Sequence, residues 1–253
     1  MSQVSVNNVA IHYTESGEGT PLLLLHGLGG SHEIWLPVIP ELAKSHRVVA
    51  ADHRGHGASA KPRGSFSIRL FVEDWVALME ALRIDRAHVL GLSMGGAIAM
   101  RLAAEHSERV RSLVLVDTWA FPHPDFLAQL RQRLEALATE GHAAYAEAAI
   151  PQLYSPEFIL ANPKALADYR ARVTSLDPGT LRSSVQACID HDMREQFRPS
   201  RRRPSCWSGA KTACSRHSTP NILSARSLAP GSPSSRGADT FRTWNGHGNS
   251  SRP

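Results

Sequence analysis

The stretch of sequence that decides the fold reads Gly91-Leu92-Ser93-Met94-Gly95-Gly96. An apolar run, residues 87–90, comes directly before it, and a small-residue, helix-forming stretch, residues 97–100, comes directly after it. A serine on such a strand–turn–helix junction is held in a strained conformation with its hydroxyl exposed, and glycines permit the close backbone approach on either side. The helix that follows supplies N–H groups and a positive dipole end where an oxyanion could form. The pattern predicts a nucleophilic Ser93; the alternative is a glycine-rich turn that happens to contain serine.

Apolar runs and helical repeats alternate on both sides of this turn. Buried strands are predicted at residues 21–25, 47–51, 87–91 and 112–116, and helices at residues 35–43, 67–82 (with Ser67 as the N-cap) and 94–105. A loose hairpin, residues 4–13, precedes them. Strands that alternate with helices predict an α/β fold with a doubly wound, mostly parallel sheet.

The chain divides into three predicted regions. Residues 1–119 hold the alternating pattern, and residues 120–196 contain four or five helices without a strand between them. Such an insertion is expected to lie as a helical cap over the carboxyl edge of the sheet, where folds of this class bind ligands. Residues 197–253 are rich in Ser, Arg and Pro and have no apolar run longer than three residues, which predicts a disordered tail.

The net charge of +5 is unevenly distributed along the chain. Residues 197–253 carry a net charge of +9, so the rest of the chain carries −4. The region around Ser93 is therefore mildly acidic, which argues against nucleic acid as its partner.

Targeting and cofactor signals are absent from the sequence. It has no secretory signal at its start and no apolar run of the length that a membrane helix needs. Cys188, Cys206 and Cys214 show neither ligand spacing nor a disulfide framework, which favours the cytoplasm. We expect no metal, because no His, Cys or carboxylate cluster has ligand spacing, and the glycines of residues 27–30 lack the lysine of a phosphate loop.

Three motifs in this order resemble the α/β-hydrolase superfamily. They are His26-Gly27, Asp52-His53-Arg54-Gly55-His56-Gly57 and Gly91-Leu92-Ser93-Met94-Gly95-Gly96. The resemblance covers residues 9–196. Within the superfamily, residues 91–96 and Ile189-Asp190-His191-Asp192-Met193-Arg194 look most like 3-oxoadipate enol-lactonases and small carboxylesterases.

This resemblance implies hydrolysis of a small carboxylic ester or lactone without a cofactor. Ser93 would attack the carbonyl carbon and form an acyl-enzyme that water releases. The backbone N–H groups of Leu28 and Met94 would hold the oxyanion. The cap and the residues near Leu28, Trp35 and Met94 are expected to shape an apolar pocket.

Other polar residues near these motifs are expected to have structural roles. Asp52, His53, Arg54 and His56 would brace the edge of the sheet, and His26 would shape the oxyanion loop rather than act as a base. Asp117 stands where some hydrolases place the catalytic acid, although a structural role is favoured.

The acid and the base of a catalytic triad have no clear candidates in the sequence. In this fold they follow the serine in the order acid, then histidine, on loops after the last two strands. His217 and His247 are the histidines of residues 197–253, and neither follows an apolar run.

A second reading frame of the tail permits both missing motifs. In this frame, each new codon consists of the third base of one translated codon and the first two bases of the next. Residues 204–212 then permit an apolar strand followed by Gly-x-Glu-Asp, and residues 238–246 permit Gly-His followed five residues later by Glu. These resemble the acid loop and the histidine loop of the family, in the right order.

We therefore predict that residues from about 197 onward are an out-of-frame translation of a hydrolase C-terminus. Resequencing of the DNA across codons 194–204 tests this hypothesis. The alternatives are a genuine basic tail that binds RNA, and a non-catalytic α/β-hydrolase-like binding protein. Among enzymes, carbon–carbon bond hydrolases and perhydrolases share the serine turn and remain alternative functions.

Overall fold

The computed structural model describes residues 2–196. The predicted tail of residues 197–253, with His217, His247, Cys206 and Cys214, lies outside the described residues. The shifted-frame motifs of residues 204–212 and 238–246 lie outside them as well.

One six-stranded sheet organises the described chain. Its strands are β1 (Ser2–Val6), β2 (Val9–Ser16), β3 (Thr20–Leu25), β4 (His46–Ala51), β5 (Ala87–Leu92) and β6 (Val110–Val116). Their order across the sheet is β1-β2-β4-β3-β5-β6. The pairs β4–β3, β3–β5 and β5–β6 are parallel, whereas β1–β2 and β2–β4 are antiparallel. The predicted α/β class and mostly parallel sheet are confirmed.

Eight α-helices flank or follow the sheet within residues 2–196. They are α1 (Ile39–Leu42), α2 (Ile68–Ala81), α3 (Met94–Glu105), α4 (Pro124–Thr139), α5 (His142–Leu153), α6 (Pro156–Ala161), α7 (Pro163–Thr174) and α8 (Pro178–Ile189). None of these helices is both long and apolar enough to span a bilayer.

The sheet is covered on both faces because alternate residues of its strands point in opposite directions. Leu23 and Leu25 pack into the larger core with α2 and α3. Leu22 and Leu24 pack into a smaller core with Trp35 on the opposite face. Burial of β3 on both faces of the sheet thus explains its uninterrupted run of leucines.

The predicted helix at residues 35–43 is wrong in its extent. A 3₁₀ turn, His32–Trp35, comes first and is separated from the four-residue α1. Pro37 interrupts the segment because it has no N–H to donate and its ring obstructs the preceding turn. Pro40 is tolerated because it lies in the first turn of α1, where N–H groups have no helical acceptor.

The start of α2 agrees with its sequence signal. The Oγ of Ser67 accepts a hydrogen bond from the N–H of Leu70 at 3.1 Å, which caps the helix as predicted.

Helices α4 to α8 occupy most of residues 120–196 and agree in number with the expectation. Helix α4 packs against α5 and α8, and α5 packs against α7. The division into a core of residues 1–119 and a cap of residues 120–196 stays a prediction.

Candidate active site

Ser93 connects β5 directly to α3 and has a left-handed backbone, with φ +53° and ψ −119°. Its N–H donates to the carbonyl of Val116 on β6 at 3.0 Å. Its own carbonyl accepts from the N–H of Gly96 at 2.8 Å and from the Oγ1 of Thr118 at 2.7 Å. Such a conformation is costly for a residue with a Cβ, so these contacts hold a strained junction in place.

Two glycines let the backbone segments around Ser93 come close together. A Cβ on Gly95 would overlap the carbonyl oxygen of Leu25, because α3 begins directly against the end of β3. A Cβ on Gly27 would lie 3.2 Å from the Cβ of Ser93. Glycine at both positions therefore keeps the loop after β3 against the serine.

The two N–H groups expected to bind an oxyanion have no hydrogen-bond acceptor among residues 2–196. They belong to Met94, at the first position of α3, and to Leu28, in the loop after β3. The loop is a tight turn in which the N–H of Gly30 donates to the carbonyl of Gly27 at 3.0 Å. The Met94 side chain is fully buried in the core. Free N–H groups at these two places are what an oxyanion hole requires.

His26 supports this loop with both of its ring nitrogens. Nδ1 donates to the carbonyl of Gly27 at 2.8 Å, and Nε2 accepts from the N–H of His53 at 3.0 Å. Burial, followed by the neighbouring His53 and His56 rings, lowers the pKa of His26 well below its ordinary value. A neutral ring with both nitrogens engaged holds the loop and has no free nitrogen to act as a base.

His53 continues the same buried network. Its Nε2 donates to the carbonyl of His26 at 3.0 Å, and its Nδ1 accepts from the Nε1–H of Trp75 at 3.1 Å. Burial, followed by the nearby His56, lowers the pKa of His53 to about 3. His53 is thus neutral and ties the turn after β4 to helix α2.

Asp52 lies at the centre of a second buried cluster. Its carboxylate accepts from the N–H of His32 at 2.6 Å and from the N–H of Ala58 at 2.8 Å. It also faces the Nδ1 atoms of His32 at 2.9 Å and His12 at 3.2 Å. Burial acts to raise the pKa of Asp52, but these hydrogen bonds outweigh it and the net shift is downward.

Ligand-capable atoms of His12, His32 and Asp52 lie within 4.8 Å of one another. No local pattern in the sequence indicates this group, because its members lie on β2, after β3 and after β4. The distances from Asp52 to the two rings are those of hydrogen bonds, so the cluster acts as a polar brace between the loops that carry the site.

A buried ion pair anchors the other side of the same turn. Arg54 donates from Nε and Nη2 to the two carboxylate oxygens of Asp74 on α2, each at 2.5 Å. A forked pair of this kind fixes orientation as well as distance. The expected bracing by the turn of residues 52–57 therefore has a concrete set of contacts.

A cavity of about 330 Å³ opens between Ser93 and the helices that follow β6. Its walls are contributed by the loop after β3, the segment after β6 and helices α4, α5, α7 and α8. The lining residues are Leu28, Ser93, Asp117, Thr118, Trp119, Phe121, His123, Phe126, Gln129, Leu130, Arg133, Tyr145, Gln152, Leu153, Tyr169 and Cys188.

The expectation of a pocket formed by the cap and the residues near Leu28, Trp35 and Met94 agrees with the lining by the helices of residues 120–196, but the side chains of Trp35 and Met94 do not take part. Trp35 packs into the smaller core on the opposite face of the sheet, and Met94 packs into the larger core. Of the three, Leu28 lines the cavity.

Asp117, the weak candidate for the acid, shares the cavity wall with Ser93. It is exposed and has a left-handed backbone with φ +44°. Within residues 2–196, no hydrogen bond joins Ser93 Oγ or the Asp117 carboxylate to a histidine ring, so the described part does not assemble a serine–histidine pair. The segments whose shifted frame permits the acid loop and the histidine loop, residues 204–212 and 238–246, lie outside it.

Comparison with known proteins agrees with this geometry. The family model described as the alpha/beta hydrolase fold matches residues 20–247. The chain belongs to the α/β-hydrolase fold family. The RutD protein of Azorhizobium caulinodans, which is provisionally named a carbamate hydrolase, is 34% identical over 239 residues, or 94% of this chain and 88% of the relative.

Solved structures of other α/β hydrolases superpose on most of the chain. The enol-lactonase from Burkholderia xenovorans LB400 has a TM-score of 0.71 and 32% identity, covering 77% of this chain and 76% of the enol-lactonase. A thermophilic esterase from Thermogutta terrifontis has a TM-score of 0.68 and 26% identity, covering 76% of this chain and 74% of the esterase. Membership of this family identifies the protein as a hydrolase.

Proposed function

We propose that this α/β hydrolase cleaves a small carboxylic ester or lactone through an acyl-enzyme on Ser93. The observation that carries the proposal is the strained turn at Ser93 beside two N–H groups that have no acceptor among residues 2–196, at the wall of a cavity large enough for a small substrate. The likeness to an enol-lactonase and an esterase supports the ester or lactone as the substrate class.

In the proposed reaction, the Oγ of Ser93 adds to the substrate carbonyl as a base takes its proton. The carbonyl oxygen becomes an oxyanion, which the N–H groups of Leu28 and Met94 stabilise. Collapse of this intermediate breaks the bond from the carbonyl carbon to the leaving oxygen, which takes a proton from the same base. The alcohol of an ester then departs, whereas the hydroxyl of an opened lactone stays on the acyl group, and water cleaves the acyl-enzyme. A carbamate is the second candidate substrate, because its carbonyl allows the same addition and relatives carry that name.

We further propose that the 253-residue chain is impaired as a catalyst. A serine hydroxyl is a weak nucleophile without an adjacent base, and within residues 2–196 no histidine forms a hydrogen bond with Ser93 Oγ. On this proposal, the base and the acid are encoded in the shifted frame from residue 197 onward, so the 253-residue chain lacks them. A small-molecule substrate and a cytoplasmic location belong to the same proposal.

Labelling with a fluorophosphonate tests the nucleophile. We expect rapid modification of Ser93, mapped by peptide mass spectrometry, in a chain whose frame is restored after residue 196. The 253-residue chain should react far more slowly, because nothing takes the proton from Ser93. Ser93→Ala should abolish labelling and Ser107→Ala, at a serine that follows α3, should not.

The outcomes separate the remaining alternatives. A restored chain that stays unlabelled would identify a non-catalytic binding protein. Labelling without turnover of aryl esters, but with turnover of dienoic ketones or with perhydrolysis, would move the enzyme to another reaction of the same fold.

A further inference from the structure

Three residues with metal-ligating side chains meet outside the walls of the Ser93 cavity. His12 on β2, His32 in the 3₁₀ turn after β3 and Asp52 after β4 are all buried. Their ligand-capable atoms lie within 4.8 Å of one another, and none of the three residues lines the cavity. Two imidazole rings and one carboxylate therefore converge on one point of the fold.

The carboxylate of Asp52 and the backbone of His12 are both held in fixed positions. Oδ1 of Asp52 accepts from the N–H of His32 at 2.6 Å, and Oδ2 accepts from the N–H of Ala58 at 2.8 Å. The N–H of His12 donates to the Oγ of Ser59 at 2.8 Å, and its carbonyl accepts from the N–H of Asp52 at 2.9 Å. Outer contacts of this kind orient metal ligands and strengthen metal binding.

The separation of the donor atoms is close to that of a tetrahedral metal site. Zinc binds imidazole nitrogen and carboxylate oxygen at about 2.0–2.2 Å, so that neighbouring ligand atoms lie roughly 3.3 Å apart. The Nδ1 atoms of His32 and His12 lie 2.9 Å and 3.2 Å from the oxygens of Asp52. Small shifts of the carboxylate, together with a turn of the two rings toward each other, make room for an ion.

The charge of the Asp52 carboxylate is not balanced by a basic side chain. Among residues 2–196, no lysine or arginine pairs with it, and its side-chain partners are the two rings. A neutral ring donates to the carboxylate with its proton on Nδ1, and it can carry that proton on Nε2 instead, since neither Nε2 forms a hydrogen bond within residues 2–196. Both Nδ1 lone pairs are then free for a cation.

We propose that His12, His32 and Asp52 bind one divalent transition-metal ion of the zinc type. Two imidazole nitrogens and a carboxylate oxygen suit such an ion, whereas Ca²⁺ and Mg²⁺ prefer oxygen ligands alone. The ion ties β2 to the loop after β3 and to the turn after β4, as the hydrogen bonds do without it. The site does not depend on the reaction at Ser93.

The sequence cannot indicate this site by ligand spacing. Along the chain, 20 residues separate His32 from Asp52, and 40 separate His12 from Asp52. The expectation of no metal rests on local spacing, which does not detect residues that only the sheet brings together.

Titration with Co²⁺ tests the site, because Co²⁺ takes the ligands of zinc and its visible absorption reports tetrahedral coordination. The 253-residue chain is first freed of metal with EDTA. We expect one equivalent of Co²⁺ to bind with strong visible absorption, and Zn²⁺ to displace it. The frame-restored chain, which differs after residue 196, should give the same result. Absence of a saturable tetrahedral spectrum overturns the proposal and leaves a brace made of hydrogen bonds alone.

Variants of two histidine pairs separate this site from other histidines. His12→Gln and His32→Gln should each weaken Co²⁺ binding by more than about tenfold, since loss of an outer-shell partner alone costs about 10- to 100-fold. Glutamine can still donate to Asp52, which keeps the hydrogen-bonded brace. His46→Gln and His88→Gln, at two rings 5.8 Å apart, should leave binding unchanged. Binding that survives both His12→Gln and His32→Gln overturns the proposal.

The nitrogen chemical shifts of the imidazole rings give a second readout. In the ion-free protein we expect the protons of His12 and His32 on Nδ1, and in the zinc-loaded protein on Nε2. Spectra of His12→Gln and His32→Gln assign the two signals. Unchanged tautomers in protein saturated with Zn²⁺ would place the ion elsewhere and overturn the proposal.

Discussion

A strand that becomes a helix within one residue leaves Ser93 in a conformation that residues with a Cβ avoid. The sequence predicts this residue well, because flanking glycines and the apolar run of β5 are local signals. It does not predict Arg133, since burial of a charged side chain on α4 depends on how α4 packs against α5 and α8. Nor does it predict the roles of His12 and His32, because only the folded sheet brings them to Asp52.

Neutral buried histidines predict an acid-sensitive fold. A histidine titrates near pH 6.5 in the unfolded chain, whereas the pKa of His53 in the folded protein is about 3. Between these values the unfolded state binds the extra proton, so stability is full above pH 6.5 and is lost as pH falls. The loss for one such group reaches about 2 kcal/mol at pH 5.

Urea unfolding at pH 8, 6.5 and 5 measures this effect. His26 and His56, whose pKa values are also lowered by burial, add to the loss in the same direction. Asp52 adds a further loss only below about pH 4, because its pKa is lowered from an already acidic value. An unfolding free energy that stays constant from pH 8 to pH 5 would contradict the neutral network.

At the scale of elements, continuous apolar runs and capping signals predict β3 to β6, α2 and α3 well. The helix predicted at residues 35–43 fails because Pro37 breaks it, a signal that was present in the sequence. The pairing and the exposure of strand β6 are features that the hydrophobic periodicity of the sequence cannot show. Within residues 2–196 it pairs with β5 alone, and Val114 is 47% exposed on it.

An edge strand of this apolar character is expected to pair with another strand when one is available. We predict that the outward-facing amides of β6 exchange with deuterium quickly in the 253-residue chain and are protected when the frame is restored. Hydrogen exchange followed by mass spectrometry of peptides from residues 110–116 measures the difference. The amides of β5, bonded on both sides by β3 and β6, serve as the internal control. Equal protection of β6 in both chains would show that restoring the frame adds no strand there.

Over the whole molecule, the net charge of the sequence changes sign near residue 197. The preceding residues are mildly acidic and periodic, and those that follow are strongly basic and aperiodic. A local reading of motifs therefore predicts the fold, the nucleophile and the oxyanion groups. It does not supply the acid and the base, which we propose are encoded in the shifted frame of the segment from residue 197 onward.

Ester turnover by the two forms of the chain tests this account most directly. The hydrolysis of 4-nitrophenyl acetate is measured with the 253-residue chain, with the frame-restored chain and with the restored chain carrying Ser93→Ala. We predict turnover by the restored chain alone, and a fall of about a million-fold when Ser93 is replaced. Turnover by the 253-residue chain that matches the restored chain, or activity in the restored chain that survives Ser93→Ala, would contradict the account.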